Sequence, residues 1–330
     1  MKKIALLFVI ILCIALTSCV GKGETSDTSD VVSAVKKDEY YLGFGFLPEE
    51  AGEDVTLGAA FAAVVTDTDG KIICCTVDQL EAKADTNAIT ENIGYTFKTK
   101  NMLGDDYGMK SASPIGKEWY EQAQAFAEYC KGKTVNALEG SLDGDGRIAD
   151  LQASCTVKTA DLVRAVKSAV KNTGKAFTAE GDIKIGLSVN CVLSSASYES
   201  KDGHDGKAVY GITMAATAVD KDGKVYGGYI DEAEVEYIFD ADGKNITQKG
   251  YLPVTKQTLG NDYGMKSASP IDKEWYEQAR AFADYCVGKT GEQIFSAVDE
   301  KGRVPDLQAS CTVESSGFAA EMKKAVEKAR

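Results

Sequence analysis

Two β-rich stretches of the chain, each centred on an Asp-Gly pair, predict β-hairpins. The first is AAVVTDTDGKIICCTVD, residues 62–78, and the second is MAATAVDKDGKVYGGYID, residues 214–231. Because glycine readily adopts the positive φ that a tight primed turn requires, Asp-Gly between apolar flanks indicates two antiparallel strands. An extended segment precedes each hairpin, GFGFLP from Gly43 and GLSVNCVL from Gly186, and FDADGKNIT from Phe239 repeats the turn chemistry.

A different spacing, of three or four residues, predicts two helices after each hairpin. One apolar stripe consists of Ile115, Trp119, Ala123, Phe126 and Cys130. We expect Ser113-Pro114 to start this helix and Gly132 to close it. A second helix follows Thr159 and presents Leu162, Val166, Ala169 and Val170, and its counterpart presents Phe318, Met322, Ala325 and Val326. Strands followed by helices predict an α+β fold with helices on one face of an antiparallel sheet.

The chain repeats this order of elements. The block LGDDYGMKSASPIGKEWYEQAQAFAEYCKGKT, residues 103–134, returns at residues 259–290 with five of its 32 positions changed. So close a repeat predicts two homologous copies of one folding unit, residues 38–174 and 180–330, each an antiparallel sheet with hairpins and two packed helices. The apolar content of 44% suffices for two modest cores, so each copy is expected to close its own apolar interior.

The N-terminus has the pattern of a bacterial lipoprotein signal peptide, residues 1–18. Two lysines precede an apolar run too short to span a bilayer, and Leu16-Thr17-Ser18-Cys19 then follows. Cys19 is therefore the predicted site of a lipid anchor of the palmitate type, with an ordinary secretory signal as the alternative. Residues 19–37 are small and polar and predict a flexible tether. We expect the protein on the extracytoplasmic face of the cell membrane, held there by this lipid.

The negative net charge of the chain argues against two classes of binding partner. With 50 acidic and 37 basic residues the formal net charge is −13. An acidic surface repels phosphate backbones and anionic lipid heads, so we expect no nucleic-acid partner and no polybasic contact with the membrane.

Cysteine and histidine usage argues against most catalytic and metal sites. Seven cysteines remain after Cys13 and Cys19, and no CxxC is present. Cys130–Cys155 and Cys286–Cys311 bridges are possible in an exported protein, but small buried thiols are the favoured interpretation. The single histidine, His204, excludes histidine-based zinc sites and a Ser-His-Asp triad. The sequence predicts no catalytic residue and no metal site.

One repeated loop could bind an anion. DYGMKSASP, residues 106–114, recurs unchanged at residues 262–270 and leads into a predicted helix N-terminus, where free N–H groups favour anions. The candidate residues are Lys110, Ser111, Ser113, Lys266, Ser267 and Ser269. The alternative is a structured turn whose serines cap the helix.

A second repeated segment, DLQASCT, carries a family resemblance. It spans residues 150–156, recurs at 306–312, and is followed by a helix. With the preceding DGK hairpins it resembles the FMN-binding domains of exported bacterial redox proteins, in which an Asp-x-x-Ser/Thr-Gly-Ala-Thr segment carries FMN attached by a flavin transferase. The resemblance implies Asp150 and Asp306 as the leading acids and Thr156 and Thr312 as the acceptors. It also implies a redox partner at the cell surface.

The motif departs from that family at three positions in each copy. Ala153, Ser154 and Cys155 replace the Ser/Thr, glycine and alanine, and Ala309, Ser310 and Cys311 do so in the second copy. Serine in place of glycine restricts the backbone. Across nearly all of each copy the chain also resembles exported lipoproteins of Gram-positive anaerobes that share the LGDDYGMK block, which brings no activity with it. We therefore expect a non-catalytic lipoprotein of two FMN-binding-like domains that binds a ligand or partner, with an FMN-carrying electron-transfer lipoprotein as the alternative.

Overall fold

Both predicted hairpins are present in the computed structural model, which describes residues 38–197 and 204–330. In the first half of the chain (residues 38–174) and the segment after it, the strands and helices are β1 Glu39–Pro48, β2 Thr56–Asp67, β3 Ile72–Lys83, β4 Thr96–Phe97, α1 Lys100–Leu103, α2 Trp119–Cys130, α3 Val135–Gly140, α4 Ala160–Lys171 and β5 Phe177–Thr178. In the second half (residues 180–330) they are β6 Lys184–Ser197, β7 Gly206–Val219, β8 Val225–Phe239, α5 Lys256–Leu259, α6 Trp275–Cys286, α7 Gly291–Phe295 and α8 Ser316–Glu327.

Short 3₁₀ helices complete the connections, at Gly104–Tyr107, Ala149–Leu151, Gly260–Tyr263, Lys266–Ala268 and Pro305–Leu307. The predicted signal peptide, the tether and Cys19 lie outside the described residues. Among the helices of the described part of the chain, none combines the length and the apolar character needed to cross a membrane.

The strands form two antiparallel sheets of four strands, in the orders β3-β2-β1-β5 and β4-β6-β7-β8. The fold is therefore α+β, as predicted. One strand crosses between the halves: β4 comes from the first half but pairs with β6 of the second, Thr96 opposite Val192 and Phe97 opposite Cys191. The segment that joins the halves supplies β5, which pairs with β1.

The two sheets pack face to face, and the helices cover their outer faces. One core cluster contains residues of both sheets, a second joins the first sheet to α2 and α4, and a third joins the second sheet to α6 and α8. Across the central layer, the rings of Phe44 and Tyr229 stack 5.6 Å apart, and the Tyr210 hydroxyl donates to the Val55 carbonyl at 2.8 Å. The expectation that each copy closes its own apolar interior is wrong, because the inner face of each sheet is buried by the other.

The hairpin turns differ in type from the prediction. In the first, the Gly70 N–H donates to the Asp67 carbonyl and the Asp67 N–H donates to the Lys71 carbonyl. Gly70 has φ of 74°, and no other residue of this turn has a positive φ. This is a three-residue loop with a bulge rather than a two-residue primed turn. The Asp67 carboxylate stabilises it by accepting from the N–H groups of Asp69 and Lys71.

The long helices bury the predicted stripes, but α2 begins later than predicted. Trp119, Ala123, Phe126 and Cys130 are buried, as are Phe318, Met322 and Ala325 on α8. Ser113-Pro114 lies in a turn before the helix, and Glu118 is the N-cap because it forms a reciprocal capping box with Glu121. The second half repeats this arrangement with Glu274 and Glu277.

Strand glycines allow the helices to lie directly on the sheets. A Cβ atom added at Gly43 or Gly45 of β1 would collide with the Ala169 or Ala165 carbonyl of α4. In the second half, one at Gly186 of β6 would collide with the Ala325 carbonyl of α8. These close contacts fix where each helix crosses its sheet, and with it the position of the C-terminal end of α8.

Candidate functional site

The repeated DYGMKSASP loop lies at the N-terminus of α2, but its N–H groups already have partners. The N–H groups of Met109 and Lys110 donate to the two carboxylate oxygens of Glu118, at 2.9 and 2.8 Å. In the second half those of Met265 and Lys266 donate to Glu274, at 2.9 and 3.1 Å. A carboxylate of the chain itself thus lies where an external anion could have bound, and such an anion would have to displace it. The side chains of Lys110, Ser111, Lys266 and Ser267 are exposed to solvent.

A buried glutamine connects this loop to the DLQASCT segment. Gln122 of α2 donates through Nε2 to Ser113 Oγ and to the Lys117 carbonyl, both at 3.1 Å. Its Oε1 accepts from the Thr156 N–H at 2.7 Å and from the Thr156 hydroxyl at 3.2 Å. Because the side chain is fully buried, each of these bonds satisfies a group that water cannot reach.

The second half contains the same connection. Gln278 links Ser269 to Thr312, with the same distances of 2.7 and 3.2 Å from the Thr312 N–H and hydroxyl. The two segments that the chain repeats most closely are therefore parts of one hydrogen-bonded assembly. This packing role accounts for both segments without a ligand.

The residues at the FMN-like motif fit covalent attachment poorly. The Thr156 hydroxyl, which would carry the flavin phosphate, is half-buried and donates to Gln122. Ser154, at the family's glycine position, donates to the Leu151 carbonyl at 3.3 Å. Asp150 is exposed and accepts from the Tyr129 hydroxyl at 3.5 Å. Asp306 is likewise exposed.

The seven cysteines of the described chain are buried and unpaired, which confirms the interpretation as small core residues. Neither Cys130–Cys155 nor Cys286–Cys311 forms a bridge. Burial raises the pKa of Cys74 and of Cys191 to about 12, so these thiols stay protonated. Within residues 38–197 and 204–330, no group of three or more histidine, cysteine or acidic side chains could hold a metal ion.

A cavity of about 480 Å³ lies where the first half meets the C-terminal end of α8. We call it the seam cavity. It is lined by Thr76, Asp78, Asn101, Met102, Gly104, Asp105, Tyr120, Leu187, Lys328 and Arg330. Its volume is in the range of small-molecule sites, about 300–1,000 Å³. Its walls combine apolar surface with charges of both signs.

The inner wall of the seam cavity carries a buried carboxyl group and an unpartnered amide oxygen. Asp78 accepts from the N–H groups of Gln79 and Asn101, at 2.8 and 3.0 Å. Burial raises its pKa to about 6, although these bonds and one to Thr99 favour the charged form. Asn101 donates through Nδ2 to the Val77 carbonyl at 2.8 Å. Its Oδ1 is buried and has no hydrogen-bond partner in the described chain.

Lys328 on the opposite wall belongs to a cluster of charged and polar groups from the second half, whose other members do not line the cavity. Glu321 is buried and accepts from the Ser188 hydroxyl and from the Lys324 ammonium group, both at 2.7 Å. Lys328 lies next in this cluster, with its Nζ 3.4 Å from Ser188 Oγ. Partial withdrawal from water lowers the pKa of Lys328, although Asp78 and Glu321 favour its charged form.

This cluster replaces small residues at the matching positions of the first half. The contact between Gly186 and Ala325 is the counterpart of the contact between Gly43 and Ala169 in the first half. Counted from these contacts, Ser188 corresponds to Gly45 and Glu321 to Ala165. Gly45 and Ala165 pack against each other. The second half therefore has a half-buried ion pair beside the seam cavity, where the first half has close contact between a strand and a helix.

The sequence analysis identified none of the polar residues of the seam cavity. Asp78 and Lys328 are about 250 positions apart in the chain, so no local spacing joins them. One difference between the two halves does point to this region in the sequence. Glu321 lies on the otherwise apolar face of α8, at the position where α4 has Ala165.

Comparisons with known proteins add one partial similarity. No protein-family model matches the chain, and no solved structure matches it. A stretch of 46 residues is 52% identical to a chlorophenol reductase of Desulfitobacterium hafniense. The stretch covers 14% of this chain and 14% of that protein, so the chain spans about one seventh of the length of this relative.

Proposed function

We propose that the protein is a non-catalytic, lipid-anchored binding protein of the extracytoplasmic membrane face, and that it holds a small polar molecule in the seam cavity. The anchor is the lipid predicted on Cys19. The fold consists of two FMN-binding-like copies of one unit that have become joined through their sheets. Support for the duplication comes from the repeated block and from the matching order of strands and helices in the two halves.

The observation that carries the proposal is that the lining of the seam cavity combines the unpartnered Asn101 amide oxygen with two cations, Lys328 and Arg330. The Asn101 amide oxygen lacks a donor, which costs about 1–3 kcal/mol when the group is buried. A ligand with an N–H or O–H group would supply that donor and recover this energy. Lys328 and Arg330 on the facing wall can hold an acidic or acceptor group of the same ligand.

The alternative is an FMN-carrying lipoprotein that transfers electrons to a redox partner. The DLQASCT motif favours it, and so does the partial similarity to a protein named as a reductase. Against it, Thr156 and Thr312 are held by Gln122 and Gln278, and neither threonine lines the seam cavity. The binding proposal therefore has the stronger geometric support.

One experiment separates the two. The protein is purified from its native membrane, denatured, and any released small molecule is identified by mass spectrometry, while an absorbance spectrum reports flavin. We expect a colourless protein and a released polar molecule that is lost in Asp78→Asn and Lys328→Met variants but kept in Lys71→Met, an exposed control. A yellow protein whose colour survives denaturation and vanishes on replacing Thr156 and Thr312 with alanine would establish the alternative. Absence of both ligand and flavin, with no thermal stabilisation by any small polar metabolite, would refute both.

A further inference from the structure

A second cavity, of about 310 Å³, occupies the place in the second half that matches the seam cavity. It is formed by the first half of β8, by α5 and α6, and by the chain that follows α4. By sequence position, Asp231 corresponds to Asp78 and Gln257 to Asn101, and of these two residues Gln257 lines the cavity. The residues after α4, Thr173 to Lys175, take the place of the residues after α8. We call this the second-half cavity.

The amide oxygen of this cavity is also without a partner. The Gln257 N–H donates to Asp231 Oδ1 and its Nε2 donates to the Ile230 carbonyl, each at 3.0 Å. Its Oε1 is buried and accepts no hydrogen bond in the described chain. The same unsatisfied acceptor at both matching positions, one from asparagine and one from glutamine, indicates an open place for a donor group.

The charge of the second-half cavity differs from that of the seam cavity. Two cations, Lys175 and Arg280, and one acid, Asp284, line it, and neither cation forms an ion pair in the described chain. The matching position to Arg280 in the repeated block is Gln124, so this cation is specific to the second half. The Arg280 guanidinium lies 5.0 Å from the centre of the Tyr276 ring, which limits its orientations.

We propose that the second-half cavity binds a small organic oxyanion, a carboxylate or a phosphate monoester, that also carries a hydroxyl group. The oxyanion would pair with Arg280 and Lys175, and the hydroxyl would donate to Gln257 Oε1. A neighbouring cavity of about 500 Å³ shares Gly174, Lys175, Gly228 and Asp284 with this one, so the rest of the ligand has room. This site is separate from the seam cavity and does not depend on the function proposed for it.

Calorimetric titration of the purified chain from residue 20 onward tests this proposal, in low-salt buffer without phosphate. The probes are lactate against acetate and glycerol 3-phosphate against inorganic phosphate, because only the first of each pair adds a hydroxyl to the oxyanion. We expect saturable binding in the micromolar to millimolar range, tighter for the hydroxylated member of one pair. Which pair binds distinguishes a carboxylate site from a phosphate site.

Variants locate the binding. Arg280→Gln and Lys175→Gln should each weaken it by about 10-fold. Hydrogen bonds to charged groups contribute about 1.5–3 kcal/mol, and solvent screening reduces this because both residues are exposed. Arg280→Lys should recover part of the loss, and Gln257→Leu should remove the preference for the hydroxyl. Lys71→Gln is the matched control for the loss of one exposed positive charge, and Lys328→Gln tests independence from the seam cavity. No saturable heat with any probe, or equal affinities in Arg280→Gln and Lys71→Gln, would overturn the proposal.

Discussion

The shared central core predicts that the two halves unfold together. The first half contributes eight large apolar side chains to this layer, Leu42, Phe44, Val55, Leu57, Phe61, Val65, Leu80 and Ile89. Burying each is worth about 1.5–3 kcal/mol, so separating the sheets would expose side chains worth on the order of 12–24 kcal/mol. That is comparable with or larger than the net stability of an ordinary domain, about 5–15 kcal/mol. Neither half should therefore persist after the other has unfolded.

The two tryptophans allow a direct test. Trp119 lies in the first half and Trp275 in the second, and both are buried. In a Trp119→Phe background, fluorescence reports the second half alone and far-UV circular dichroism reports the whole chain. Phe44→Ala should destabilise the protein by about 3–5 kcal/mol, the cost of truncating a buried phenylalanine. Because Phe44 stacks on Tyr229 across the sheets, the urea transition of Trp275 should shift by the same amount as the circular dichroism.

The control for this test is Phe295→Ala, at a position that is 48% exposed, which should change stability by less than about 0.5 kcal/mol. Independent halves would give a different pattern. A Trp275 transition that stays in place, while circular dichroism gains an earlier phase, would show that the central core does not couple the two sheets.

Three further predictions concern particular contacts. Gly186→Ala should destabilise the protein by about 2–4 kcal/mol, because the added Cβ would collide with the α8 backbone. Gly211→Ala, whose added Cβ would have ordinary contacts, should be near neutral. Equal urea midpoints for the two variants would contradict this prediction. Burial raises the pKa of Asp231 to about 7, so above about pH 4 the folded state holds a proton that the unfolded state releases. The free energy of unfolding should therefore fall as pH rises from about 4 to about 7. Asp231→Asn should flatten this pH dependence, and an unchanged profile would contradict the prediction. Gln122→Met removes four hydrogen bonds from a fully buried position and should lower the free energy of unfolding by about 2–4 kcal/mol. The exposed control Gln152→Met should change it little. Equal losses of stability in the two variants would exclude the linking role of Gln122.

The sequence predicted those parts of the fold that depend on neighbouring residues. The Asp-Gly turns and the buried stripe from Trp119 to Cys130 follow from spacing, and both are present. The start of α2 differs from the prediction because Ser113-Pro114 is a common start signal, whereas the glutamates at 118 and 121 form the cap. A glutamate in the N-cap position is less common than serine or threonine and is therefore a weaker signal.

The relation between the sheets could not be predicted in the same way. Ten consecutive residues of β2, from Leu57 to Thr66, are buried, and such a run indicates a strand covered on both faces without saying by what. The two-residue strand β4 has no sequence signal at all. The seam cavity joins residues from opposite ends of the chain, so its existence depends on a packing that no local pattern encodes.

The crossing of β4 into the opposite sheet has a consequence for handling the protein. The strand covers part of an edge of β6 that would otherwise present free backbone donors and acceptors to other molecules. Proteolytic nicking or engineering within residues 84–98 would release this short cover. The uncovered edge would then offer a template for chain-to-chain association, most readily at high protein concentration.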